Sequence, residues 1–228
     1  MKIQVLTDIL KANQTIALEN KKIFDKNQIL VLNFMSSPGS GKTLILEKTV
    51  EKLKKDFNFA VIEGDVATSK DAERLAKYDI PVVQITTESF GGDCHLDANM
   101  VKKAMETLDL SGVQILFIEN IGNLICPAGF DLGEDKKVIV LSLTEGEDKP
   151  SKYPVAFRNS DLLLINKIDL LPHLDIDLDL LMENSKKVNP ELFSIKLSAK
   201  TEQGFENWLD WLVKEYRSKA QKKCTSEG

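Results

Sequence analysis

The chain has 228 residues, enough for one sizeable α/β core, with a formal net charge of -5 and an isoelectric point of about 5.3. That balance supplies no positive field to hold a nucleic-acid backbone or an anionic membrane surface, and no apolar run is long enough to span a bilayer. Met1 to Leu10 lacks the basic, apolar and small-residue succession of a secretory signal, and three cysteines are too few for a disulfide framework, so a cytoplasmic protein is expected.

In chain order, Leu6, Ile9, Leu10, Ala17 and Phe24 recur at roughly helical intervals, which predicts one or two amphipathic helices within residues 1–28, packed on the main domain. The apolar run Ile29 to Met35 predicts a buried strand. Ser36-Ser37-Pro38-Gly39-Ser40-Gly41-Lys42-Thr43 follows it and opens a helical pattern from Thr43 to Lys55, the context that a phosphate-binding loop needs. Consecutive amides and a helix amino terminus cradle phosphate, Lys42 neutralises its oxygens, and the Thr43 hydroxyl can ligate Mg²⁺. Ser36 stands where the strict consensus has glycine.

A second strand, Phe59 to Ile62, leads into Glu63-Gly64-Asp65-Val66-Ala67, where Asp65 can offer a carboxylate to a metal or water, or cap a turn. A helix over Ser69 to Tyr78 and a strand over Pro81 to Ile85 come next. Cys94-His95 follows Gly91-Gly92-Asp93 and precedes a helix over Asp97 to Leu108. The strand Val113 to Ile118 ends in Glu119-Asn120-Ile121-Gly122, where P-loop proteins place an acid near Mg²⁺ and a glycine near the γ-phosphate. For Glu119, direct ligation, ligation through water and positioning of the attacking water are all open. Cys126 lies a few residues on, in Leu124-Ile125-Cys126-Pro127. Thiolate and imidazole suit zinc or nickel, while isolated cysteines are also common as small apolar packing residues.

Strands over Val138 to Leu143 and Leu162 to Ile165 follow, and the second runs into Asn166-Lys167-Ile168-Asp169. This tetrapeptide resembles the base-recognition motif of GTPases. Asp169 would accept two hydrogen bonds from guanine, and a buried carboxylate left unmatched by adenine would disfavour ATP by about 10⁴-fold or more. Asp175, Asp177 and Asp179 alternate like a calcium loop, but Leu180 and Lys186 occupy its glycine and glutamate positions, so that reading fails. After the strand Leu192 to Leu197, Ser198-Ala199-Lys200 looks like the accompanying loop, with an amide near Ala199 meeting the guanine carbonyl. Phe205, Trp208, Leu209, Leu212 and Tyr216 fit one face of a closing helix and read as core. Lys219 to Gly228 reads as a polar tail in which Cys224 has no evident role. Strands alternating with helices predict an α/β fold, a mostly parallel sheet flanked by helices on both faces, with ligands at the carboxyl ends of its strands. Residues 29–218 then form a P-loop nucleotide-binding domain. No glutamine or arginine stands out as a catalytic helper, so slow hydrolysis is expected.

Over nearly its whole length the chain resembles HypB, the hydrogenase nickel-incorporation GTPases related to UreG. The resemblance rests on Ser36 to Thr43, Gly64-Asp65 with Asp71-Ala72-Glu73-Arg74, Cys94 to Ala98, Glu119 to Pro127, Glu145 to Pro154 and Asn166 to Asp169. It implies a GTP-hydrolysing metallochaperone that controls nickel delivery to hydrogenase, with GTP or GDP and Mg²⁺ bound, and with Cys94, His95 and Cys126 as ligands for Ni²⁺ or Zn²⁺. It also implies a GTP-dependent homodimer, for which the charged, proline-bearing loop Glu145 to Pro154 could reach across the interface, with Lys149 the residue to test, and partnership with a HypA-like nickel chaperone and the hydrogenase large subunit. The family tolerates serine at the first loop position and glutamate at the Mg²⁺-side position. No cysteine or histidine precedes Cys94, which argues against nickel storage near the amino terminus. A UreG-like protein would show a compact Cys-Pro-His motif, which this sequence lacks. An ATP-dependent small-molecule kinase would not need Asn166 to Asp169, and phosphate release separates a GTPase from a non-hydrolytic scaffold. The short distance from Glu119 and Gly122 to Cys126 predicts that nucleotide state and metal affinity are coupled.

Overall fold

The computed structural model describes residues 2–66, 69–88 and 94–224, with side chains from residue 10 to residue 221. Seven strands form one parallel sheet in the order β3-β2-β4-β1-β5-β6-β7. They are β1 (Leu30–Ser36), β2 (Phe59–Asp65), β3 (Val82–Thr86), β4 (Ile115–Glu119), β5 (Lys136–Ser142), β6 (Leu162–Asn166) and β7 (Phe193–Lys196). The helices are α1 (Lys2–Lys26), α2 (Lys42–Leu53), α3 (Lys70–Ala76), α4 (Ala98–Thr107), α5 (Lys149–Lys152), α6 (Pro154–Arg158), α7 (Leu178–Val188) and α8 (Phe205–Cys224).

The apolar runs became strands because both faces of the sheet are covered, and successive side chains serve opposite cores. Leu30, Leu32 and Phe34 of β1, with Ile115 and Phe117 of β4, join Ile45, Leu46 and Val50 of α2 and Phe205, Trp208 and Leu212 of α8. Val31, Leu116 and Ile118 point the other way, to Phe24 of α1 and Met100, Val101 and Ala104 of α4. Further along the sheet, Leu163 and Ile165 of β6 meet Ala156 and Phe157 of α6 and Leu181 of α7. Each fully buried side chain of this size contributes about 1.5–3 kcal/mol of transfer free energy.

Among the boundaries that differ from the sequence expectation, two carry contacts of consequence. The strand expected to end at Ile62 runs on to Asp65, which carries the buried Glu63 into the sheet. The stretch expected as a polar tail from Lys219 is instead helical as far as Cys224, within α8, and Lys219 pairs with Asp135 at 2.6 Å and Asp25 at 3.0 Å. Lys21 of α1 meets the same two acids, so Asp135, just ahead of β5, ties the first and last helices together. At the amino end one helix forms. Ala17 and Phe24 are buried whereas Leu10 is exposed; the side chains of Leu6, Ile9 and Cys224 lie outside the described residues. Among the described residues no helix is long and apolar enough to cross a membrane.

Candidate functional site

In a parallel sheet, ligands bind beyond the carboxyl ends of the strands, where order and connection reverse. Here that place lies between β1 and β4, and a cleft of about 430 Å³ opens there, lined by the phosphate loop, the ends of β2 and β4, and α3. Gly39 and Gly41 adopt left-handed φ of 74° and 96°. Gly41 also has no room for a side chain, since a Cβ would lie 2.5 Å from Asn166 Nδ2. Ser36 is buried in the last position of β1, and its hydroxyl accepts from Lys42 Nζ at 2.9 Å. Serine is therefore used at this position, holding the lysine along the strand end. Ser37 accepts the Ser40 hydroxyl at its carbonyl, 2.8 Å away, and Gly122 packs so closely on Pro38 that a Cβ there would be 3.1 Å from the proline ring.

The Thr43 hydroxyl donates to Glu119 Oε1 at 2.8 Å, and Oε2 of the same carboxylate is buried without a hydrogen-bond partner. A hydroxyl beside a carboxylate with one uncommitted oxygen, facing the lysine of a phosphate loop, fits a divalent cation with oxygen ligands. Burial raises the Glu119 pKa, against the pull of Lys42 and the Thr43 hydrogen bond. Asp65 stands half-buried at the end of β2 and lines the same cleft.

Two cleft residues escaped sequence reasoning. Glu63, only 2% exposed, lies opposite Glu119 in the β2–β4 register, and its Oε2 has no hydrogen-bond partner. Burial, then the charges of Glu119, Asp65 and Asp71, push it up to about 8, so it is protonated at neutral pH. Arg74 projects from α3 into the cleft, gripped by Glu47 through both of its carboxylate oxygens and by Asp71 at 3.0 Å. The arginine was present in the sequence block Asp71 to Arg74, but only the placing of α3 beside the phosphate loop brings it to the site.

Asn166 Nδ2 donates to the Ser40 carbonyl at 2.8 Å and Lys167 Nζ to the Gly39 carbonyl at 2.7 Å, so both side chains brace the phosphate loop. The Ala199 amide donates to Asn166 Oδ1 at 3.0 Å, which joins the two loops expected to hold the base. Ser198 is buried, its hydroxyl accepting from the Thr201 amide, and Lys200 is exposed. Asp169, in the 3-10 turn Ile168–His173, keeps Oδ1 buried with no hydrogen-bond partner. A buried oxygen of this kind costs about 1–3 kcal/mol until a donor arrives.

Cys94, His95 and Cys126 come from two distant segments, yet their ligand atoms lie within 4.8 Å of one another, with the two sulfurs 2.7 Å apart. Among the described residues they form the one such cluster of potential metal ligands. The contact with Cys126, then burial, raises the Cys94 thiol. The His95 ring packs on Phe130 at 4.0 Å between centroids, and Asp97 caps α4 immediately after it by accepting the Met100 amide at 2.7 Å. Gly91-Gly92-Asp93 lies outside the described residues. Lys149 Nζ lies 3.6 Å from Glu145 and over the Tyr153 ring, while Glu145 accepts the Ser40 hydroxyl at 2.7 Å.

The family model for the CobW/HypB/UreG nucleotide-binding domain matches residues 30–195. The hydrogenase maturation factor HypB of Escherichia coli strain K12 is 48% identical over 210 residues, which cover 92% of this chain and 71% of that protein. This chain belongs to the HypB family. A probable hydrogenase maturation factor HypB from Methanocaldococcus jannaschii is 43% identical, covering 93% of this chain and 95% of that protein. Among solved structures, HypB from Helicobacter pylori in complex with nickel superposes with a TM-score of 0.84 at 38% identity, over 91% of this chain and 96% of that one. HypB from Archaeoglobus fulgidus gives the same TM-score at 37% identity, over 91% of this chain and all of that one. The HypB fold, a P-loop nucleotide-binding sheet, is the one described above. A signal recognition particle receptor, FtsY, at 13% identity and a TM-score of 0.54, shares the fold alone.

Proposed function

We propose that this chain is a GTPase that controls delivery of nickel during maturation of nickel–iron hydrogenase. The observation that carries the reading is the segment from Glu119 to Cys126, which brings a phosphate-side acid and a thiol of the Cys94, His95 and Cys126 cluster onto one short stretch of chain. Guanine selection is assigned to Asp169, whose buried oxygen lacks a donor that the base edge would supply. Phosphate binding is assigned to Ser37 through Thr43 with Gly122, and Mg²⁺ to Thr43 and Glu119 with Asp65 alongside. Bound Mg²⁺ would neutralise charge on the phosphate oxygens. Lys42 holds the phosphates, Glu119 or Asp65 orients the attacking water, and the slow hydrolysis expected from the sequence gives partners time to respond. Arg74, held by two acids, is a further positive charge beside that cleft.

The cysteine and histidine triad accepts Ni²⁺ or Zn²⁺ and leaves a coordination position for a symmetry mate or an acceptor protein. A homodimer formed in the GTP state, a HypA-like nickel chaperone and the hydrogenase large subunit are the proposed partners. The relatives' names favour this reading over that of a UreG-like urease protein. The test is titration of the purified protein with nickel and zinc in nucleotide-free, GDP and GTP-analogue states, with phosphate release followed separately. Metal binding lost in Cys126→Ala and steady phosphate release from GTP are expected. Absence of phosphate release would leave a non-hydrolytic scaffold, and nickel binding unchanged in Cys126→Ala would remove the triad from the reading.

A further inference from the structure

Two asparagines of the segment after β4 grip the strip of chain that carries Cys94 and His95. Asn120 is buried, and its Oδ1 accepts from the Leu96 amide at 3.1 Å and from the Ile121 amide at 3.0 Å. Asn123 Nδ2 donates to the Cys94 carbonyl at 3.3 Å. The strip is thus held on both sides of His95 by one loop, the loop that ends in Cys126. Asn120 Nδ2 donates to Asn33 Oδ1 at 3.3 Å, which fixes which way its amide faces.

The same residues touch the phosphate side. Asn120 directly follows Glu119, the acceptor of the Thr43 hydroxyl, and its own amide donates to the Phe34 carbonyl of β1. Asn123 forms an isolated antiparallel bridge with Ser36, whose hydroxyl holds Lys42. Leu96 leaves the strip no slack, because it is fully buried against Gly64 of β2, where an added Cβ would come within 2.9 Å of it. Movement of the loop must therefore either carry the strip along or break the asparagine bonds.

We propose that Asn120 and Asn123 are positioning residues that form a clamp holding Cys94 and His95 against Cys126, and that a change of nucleotide opens or closes it. This rests on the nucleotide-site and metal-site readings given above. With the clamp closed, the three ligand atoms sit within reach of one divalent cation; with it open, Cys126 leaves with its loop and the site disperses. Nickel affinity then takes two values, one per clamp state, and a variant without the clamp is confined to the weaker.

The experiment is titration with nickel chloride of the unmodified protein, Asn120→Ala and Asn123→Ala, each in GDP and GTP-analogue states. The unmodified protein should show affinities differing by about fivefold or more between the two states. Both variants should still load nucleotide and bind nickel at the weaker affinity in both. A ratio that persists in the variants, or that is absent from the unmodified protein, overturns the clamp while leaving nickel binding by the triad standing. Nickel affinity unchanged in Cys94→Ala would overturn the metal-site reading and the clamp with it. Should Asn120→Ala not fold, amide exchange at Leu96 in the metal-free, unmodified protein decides: its rate should differ between nucleotide states, and equal rates reject the clamp.

Discussion

At the scale of single residues, the phosphate cleft and the base loop hold buried carboxylate oxygens without a hydrogen-bond partner, on Glu63, Glu119 and Asp169. Asp169 has a buried oxygen with no donor, and an ionised carboxylate matches the paired donors of guanine where an amide would present a donor of its own. Asp169→Asn should therefore weaken GTP by at least about tenfold and favour xanthosine nucleotides, which competition binding with the two triphosphates measures. Glu63 gives a second prediction, this time in pH. Its folded pKa of about 8 lies above the ordinary carboxylate value of 4.5, so between these values the unfolded chain has released the proton that the folded chain keeps. Stability of the nucleotide-free protein should fall as pH rises through that window, by up to about 1.4 kcal/mol per unit from this group. Glu63→Gln should flatten the slope, as read from thermal midpoints at a series of pH values; a slope equal to that of the unmodified protein would exclude Glu63 as its source. Lys42 and Thr43 were legible in the sequence, because loop, lysine and hydroxyl occur at fixed spacing between a strand and a helix. Glu63 was not, since a glutamate after an apolar run reads as the end of a strand until its register with Glu119 is known.

At the scale of elements, the strands were legible because burial on both faces demands continuous apolar runs, and each of the seven runs found a place in the sheet. What stayed hidden were contacts between elements distant in sequence. Nothing in Asn166 and Lys167 alone says that their side chains brace the carbonyls of Ser40 and Gly39, and Lys219 joins α8 only because Asp135 and Asp25 wait there. The contact of Leu96 on Gly64 is of the same kind. Gly64→Ala inserts a methyl 2.9 Å from the leucine side chain in a strand covered on both faces, which should cost about 1–3 kcal/mol of stability. In a Leu96→Ala background, where the methyl no longer meets the leucine, the same substitution should cost less. Denaturant midpoints of the two single variants and the double variant measure it, and strict additivity would show that the two residues do not press on each other.

At the scale of the whole molecule, the carboxyl ends of all seven strands meet along one edge of the sheet, so phosphate loop, base loop and metal triad share a single rim. Lys149 stems from that rim and rests on Glu145, and in the proposed homodimer it would exchange this internal partner for one on the second copy. Mass measurements should show a dimer with a non-hydrolysable GTP analogue and a monomer with GDP, and Lys149→Ala should weaken the dimer; the same mass in both nucleotide states would rule this assembly out. The placing of α8 has a different consequence, an optical one. Both tryptophans of the chain, Trp208 and Trp211, lie on that helix with their rings stacked at 5.6 Å, and Trp208 Nε1 donates to Thr49 of α2 at 2.8 Å. Intrinsic fluorescence therefore reports on one seam of the molecule, α8 against α2, and is blind to the far edge of the sheet at β3. Followed during denaturation beside far-ultraviolet ellipticity, emission dates the parting of that seam, and any interval between the two curves measures how far the remote edge unravels on its own.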